Sequence, residues 1–152
     1  MTEQNVKLFA NLSGDAMQKL TDLGKVIEAA AGDTIVEESS VGKSLYAISS
    51  GRLDVTIAMP DGGRSDPIAT LKEGDIFGET VLLGRQRRIA RVVARDDAKV
   101  TEWDGDQMLA FFKEHPDVGF VVMQNLAAMV HERLTSTNML LRNTLNQVVE
   151  IM

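Results

Sequence analysis

Three rhythms of apolar and polar positions divide the chain. In "LSGDAMQKLTDL" the residues Ala16, Met17, Leu20 and Leu23 recur at helical spacing, and Ser13 stands before them as a side-chain cap. Residues 1–24 therefore read as an N-terminal helical segment. From residue 25 to 104 the pattern shortens into β-prone runs: "VIEAA", "TIVEE", "SLYAIS", "LDVTIAM", "DPIATL", "RIARVVA" and "AKVTEW". Glycine turns in "AAGD", "SSG", "PDGG" and "KEGD" separate them. Strands this short, with turn signals every eight to twelve residues, predict a mainly β sandwich or barrel. "MPDGGR" predicts a hairpin tip over residues 60–63.

After residue 105 the rhythm is helical again. "DQMLAFFKEH" predicts a short helix, and Pro116, suited to a first helical turn, opens a long one reaching about Val149. Along it Val130, Leu134, Thr137, Leu141, Thr144, Val148 and Ile151 alternate in steps of four and three, a heptad seam. Up to about Leu134 the expected partner of this face is the protein's own β unit. Beyond it the helix outruns a small domain, so self-association is expected. The expected organisation is one domain in three parts: residues 1–24, residues 25–104, and C-terminal helices over residues 105–152.

Composition narrows the function. The chain has 152 residues and carries 22 Asp and Glu against 16 Lys and Arg, for a net charge of −6. A nucleic-acid coat would normally be basic, so that partner is not expected, and no apolar run approaches the roughly 20 residues that cross a bilayer, so neither is a membrane. There is no cysteine, which removes disulfides, thiolate metal sites and a cysteine nucleophile, and a cytoplasmic setting is the simplest expectation. The two histidines, His115 and His131, stand in no metal spacing. Neither a G-x-S-x-G elbow nor a phosphate loop ending in Gly-Lys-Ser/Thr occurs. Pairs such as Glu37-Glu38 and Asp96-Asp97 read as solvated strand ends. An enzyme is not expected, and no metal or cofactor is implied.

The stretch "GDIFGETVLLGRQRRIARVVA", residues 74–94, gathers arginines beside one glutamate and a glycine turn. After Gly78 the residues "ETVLL" suit a single helical turn, whose free backbone N–H groups can face an anion. An arginine from the next strand adds a charge-assisted contact to phosphate. Glu79 repels phosphate but accepts hydrogen bonds from sugar hydroxyls. Strand alternation puts Arg88, Ala90 and Val92 on one face and Arg87, Ile89, Arg91 and Val93 on the other. One arginine among small and apolar neighbours fits a pocket wall. Arg88 is therefore the chosen ligand arginine, with Arg85, Arg87, Arg91 and Arg95 at the surface.

Taken in order, "AGDTIVEE", "SLYAISSGRLDV", "GDIFGE", R-x-A-x-V and "NLAAMVHERL" resemble the cyclic nucleotide-binding domains of gated channels, protein kinase A regulatory subunits and catabolite-activator transcription factors. The resemblance covers about residues 9–134. It implies an eight-stranded jelly roll with an N-terminal helix and a long C-terminal helix. It also implies a phosphate cassette over residues 77–92, in which Arg88, nine residues after Glu79, takes the cyclic phosphate. Glu79 would take the ribose 2′-hydroxyl. Phe77, Gly78 and Thr80 would frame the turn, with Ile89 and Ala90 after the arginine. Thr137 and Asn138, following Arg133-Leu134, match the adenine-contacting pair of the transcription factors, which acts partly across a dimer.

Three features depart from the family pattern. Ile89 stands where a small residue or a guanine-reading threonine is usual, which argues against a preference for cGMP. Arg87 stands where proline often does, and Arg91 where a small or hydroxylated residue does. The leading expectation is a stand-alone cAMP sensor. It would dimerise through its last helix and signal to a protein effector not identifiable from sequence. The alternatives are a degenerate pocket on a protein-interaction scaffold and a receptor for another nucleotide such as a cyclic dinucleotide. Because the chain stops at Met152 with no helix-turn-helix segment, a complete transcription factor is not expected.

Overall fold

A computed structural model describes residues 6–37, 41–84, 88 and 90–151. Among these residues eight strands form two antiparallel four-stranded sheets. They are β1 (Lys25–Ala29), β2 (Thr34–Val36), β3 (Ser44–Ser50), β4 (Leu53–Thr56), β5 (Ala69–Leu71), β6 (Ile76–Phe77), β7 (Arg91–Ala94) and β8 (Ala98–Asp104). One sheet runs β1-β8-β3-β6 and the other β2-β7-β4-β5. The helices are α1 (Gly14–Leu23), α2 (Gly105–Glu114) and α3 (Pro116–Ile151). The expected mainly β jelly roll with flanking helices is thus the fold.

Local chemistry explains the boundaries. The Ser13 hydroxyl accepts from the Ala16 N–H at 3.2 Å and starts α1. The Asp104 carboxylate accepts from the Gln107 N–H at 3.0 Å and starts α2 where β8 ends. The hairpin tip forms where it was expected, with the Gly62 N–H donating to the Met59 carbonyl at 3.0 Å. Two elements differ from the sequence reading. β6, at two residues, is too short to show alternation and was not among the expected runs. β7 begins at Arg91, not Arg88, so the alternation argument acts on Val92 and Ala94, both buried, while Ala90 lies in a bend before the strand.

Strand alternation builds two cores from one sheet. Leu45 and Ala47 of β3 face the helices, where Leu20, Trp103, Met108, Phe112, Val122 and Leu126 join them. Ile48 of β3 faces the other sheet, packing with Val36, Leu53, Phe77, Val92 and Val100. Trp103 is fully buried; its indole N–H donates to the Leu20 carbonyl at 2.7 Å and fastens α1 to β8. α3 joins the first core through Val118, Gly119, Val122 and Leu126. The expected packing of this helix on its own domain ends sooner than Leu134: Val130 is already 45% exposed, and residues 130–151 are exposed throughout. No helix among the described residues is long and apolar enough to cross a membrane.

Candidate functional site

Between the sheets, with Arg133 from the middle of α3 on its wall, lies a cavity of about 410 Å³. Its polar end is built by the segment that the sequence singled out. Phe77 closes β6, and Gly78 then turns the chain with φ +80°, a left-handed conformation that favours glycine. A side chain at Gly78 would also collide: its Cβ would stand 2.6 Å from the Ser44 carbonyl oxygen and 2.7 Å from Arg88 Nη1. The next five residues, Glu79–Leu83, form the expected single turn, here a 3₁₀ turn. Val81 and Leu82 are buried and anchor it, leaving Glu79 and Thr80 on the cavity wall.

Arg88 crosses to this turn from the far side. It is only 7% exposed, and its Nη2 donates to the Ser44 carbonyl at 2.7 Å. Nη1 is buried with no hydrogen-bond partner among the described residues. The guanidinium is seated between two glycines, since a Cβ at Gly42 would come within 2.6 Å of Nη2. No carboxylate pairs with Arg88 among the described residues. An arginine buried this way costs several kcal/mol of desolvation that a bound anion would offset.

Behind Arg88 sits a polar group that the sequence reading did not find. The Ser44 hydroxyl donates to Glu102 Oε1 at 2.6 Å while the Ser44 carbonyl holds Arg88, so one residue joins both. Tyr46, paired with Glu102 across β3 and β8, stacks on Phe77 with ring centroids 4.7 Å apart. Burial and then the Glu102 carboxylate push the Tyr46 phenol above its ordinary value, opposed by the Ser44 hydrogen bond and by Arg88.

Glu79 is engaged from above. Arg133 of α3 forms an ion pair with it and lines the same cavity. Arg133 was read only as a landmark of the C-terminal helix. A signal for it exists: Val118, Val122, Leu126 and Met129 trace the buried stripe of α3, and the next step of four reaches Arg133.

Of the remaining candidates, Phe77, Gly78, Thr80 and Ala90 line the cavity with Glu79 and Arg88. Ile89 lies outside the described residues, as do Arg85 and Arg87. Thr137 and Asn138 lie on the exposed part of α3 and do not line the cavity of their own chain. The Thr137 hydroxyl donates back to the Arg133 carbonyl at 2.8 Å. Arg91 and Arg95 are partly exposed at the sheet surface, as expected, and pair with Glu37 at 3.2 Å and Asp54 at 2.8 Å.

Comparison with known proteins agrees with this geometry. The chain is 33% identical over 103 residues to a cAMP-dependent protein kinase regulatory subunit of Aspergillus niger, a match covering 68% of this chain and 24% of that one. It is also 33% identical over 92 residues to a cGMP-dependent protein kinase, isozyme 1, of Drosophila melanogaster, covering 60% of this chain and 12% of the kinase. The matched region is therefore a small part of these longer relatives. The fold superposes on the Thermus thermophilus catabolite activator protein with TM-score 0.77 and 26% identity, covering 89% of this chain and 61% of that one. The family profile described as "Cyclic nucleotide-binding domain" matches residues 26–115, the whole span from β1 to the end of α2 that frames the buried arginine, and the chain belongs to that family.

Proposed function

We propose that the chain is a non-catalytic sensor that binds a 3′,5′-cyclic nucleotide, cAMP in the first instance, and passes the signal through α3. Arg88 takes the cyclic phosphate. The backbone N–H groups at Gly78, Glu79 and Thr80 complete the anion site, and Glu79 accepts from the ribose 2′-hydroxyl. Phe77, Ile89 and Ala90 flank the ligand. The observation that carries this reading is the buried Arg88 guanidinium, with no partner for Nη1 among the described residues, bordering an open cavity. A singly charged phosphodiester is the kind of partner that such a group lacks.

The pairing of Glu79 with Arg133 supports the relay. A ribose hydroxyl at Glu79 competes with, or is shared by, the arginine that ties α3 to the cavity. Ligand binding therefore acts directly on the seat of the long helix. We divide the chain accordingly into a helical segment (1–24), the jelly roll (25–104) and the lid and dimerisation helices (105–152). The exposed apolar residues of α3, Leu134, Leu141 and Val148 among them, support pairing with a second copy. Thr137, a seam position, and the adjacent Asn138 would then lie at the interface with that copy. A chain without cysteine suits the cytoplasm.

Ligand-linked unfolding tests the proposal. A ligand bound only by the folded state adds about 2.7 kcal/mol at one hundred times its dissociation constant. The expected result is a raised unfolding midpoint with cAMP in nucleotide-stripped protein. No rise with cAMP, cGMP or a cyclic dinucleotide would leave the scaffold reading in its place.

A further inference from the structure

The two ends of the cavity differ chemically. The polar end carries Glu79, Thr80, Arg88 and Arg133. The end along the β2-β7-β4-β5 sheet is walled by Val36, Val55, Ile57, Ile68, Leu71 and Val92. None of these side chains has a donor or acceptor. The backbone at Val55, Ile57 and Ile68 is engaged as well. The Ile68 N–H donates to the Val55 carbonyl at 2.8 Å, and the Ser65 N–H to the Ile57 carbonyl at 2.9 Å. The Ile57 N–H donates to the Ser65 hydroxyl at 3.0 Å. Ile68 is 58% exposed, so this end opens on solvent. The aromatic ring on the wall, Phe77, already stacks on Tyr46 at an interplanar angle of 9°.

A base lodged at this end meets apolar surface, and its polar edge finds no partner among the described residues. That edge stays hydrated at the open mouth. We infer that the site is read from the phosphate and ribose side, and that it accepts 3′,5′-cyclic purine nucleotides with little regard to the base. The inference rests on the cyclic-nucleotide reading above and specifies its ligand class. Weak discrimination is what an apolar wall gives, whereas a site that hydrogen-bonds a hydroxyl rejects the analogue lacking it. Which nucleotide occupies such a receptor is then set by abundance more than by fit.

The test is competitive titration of the full chain, stripped of nucleotide, with cAMP, cGMP, cIMP and 2′-deoxy-cAMP. The expected affinities of the three ribonucleotides lie within about thirtyfold of one another, with 2′-deoxy-cAMP weaker than all three. A wider spread among the purines overturns the inference while leaving the sensor reading intact. If the double variant Thr137→Ala, Asn138→Ala abolishes that spread, a second copy reads the base. Equal binding of cAMP and 2′-deoxy-cAMP also overturns it, because the sugar would then go unread. Binding of none of the four overturns the sensor reading and this inference with it.

Discussion

Arg88 and the outer half of α3 are opposite kinds of mismatch between chemistry and surroundings. Arg88 is a permanent charge, 7% exposed, with one nitrogen lacking a partner among the described residues. Leu134, Leu141 and Val148 are apolar and 57%, 57% and 49% exposed. The first is too buried for its polarity and the others too exposed for theirs. A buried cation lacks an anion small enough to enter a cavity. An exposed apolar seam lacks a second apolar surface long enough to run beside a helix. On the proposed reading, a ligand site and a partner surface leave separable marks on one chain, and each can be removed without the other.

The largest expected effect is on the buried cation. Arg88→Ala should lower cyclic-nucleotide affinity by about 2–5 kcal/mol. Its effect on the stability of the ligand-free protein should be smaller, because losing the hydrogen bond to the Ser44 carbonyl is offset by removing a buried charge. Binding and unfolding measured on one preparation check both halves, and a stability loss without an affinity loss would reverse the assignment. Next comes the seam. Leu141→Ala should weaken self-association by about 1.5–3 kcal/mol per helix, the worth of burying one leucine. Sedimentation over a range of concentrations reads this, and the unfolding free energy of the monomer should hardly change. Leu126→Ala on the buried stripe of the same helix supplies the contrast, costing about 2–5 kcal/mol of stability at any concentration.

Smaller again is Arg133→Ala. Its ion pair with Glu79 is half exposed on the arginine side, so its loss should cost about 1 kcal/mol or less. Its expected signature is a weakened effect of ligand on dimerisation with phosphate affinity largely kept. The smallest effect is alkaline. The folded-state Tyr46 phenol sits above its ordinary value near 10, chiefly through burial. The unfolded phenol loses its proton first, so this stabilising contribution is complete below pH 10 and is lost as pH rises through the folded value. Tyr46→Phe should flatten that part of the stability profile in a pH-stepped denaturant titration.

The parts legible in the sequence were those whose cause is local. Ser13 caps α1 because a hydroxyl three residues before an apolar stripe reaches the free N–H of the helix's first turn. Gly78 and Arg88 could be named because a glycine turn, a short apolar run and an alternating segment each follow from nearby residues. Gly42, Ser44 and Arg133 escaped for the opposite reason. Each acts across the sandwich on a residue far away in sequence: Arg88 lies 44 positions from Ser44, and Arg133 lies 54 from Glu79. The β7 boundary shows a right orientation reached through a wrong element, since Arg88 faces the cavity from outside the strand that was meant to aim it.

The most direct test is isothermal titration of cAMP into the nucleotide-stripped wild-type chain and, alongside it, into Arg88→Ala. The account predicts saturable binding at micromolar affinity or tighter in the wild type, weakened on the order of thirtyfold or more in the variant. Equal affinity in the two proteins, or no binding to the wild type, would contradict it.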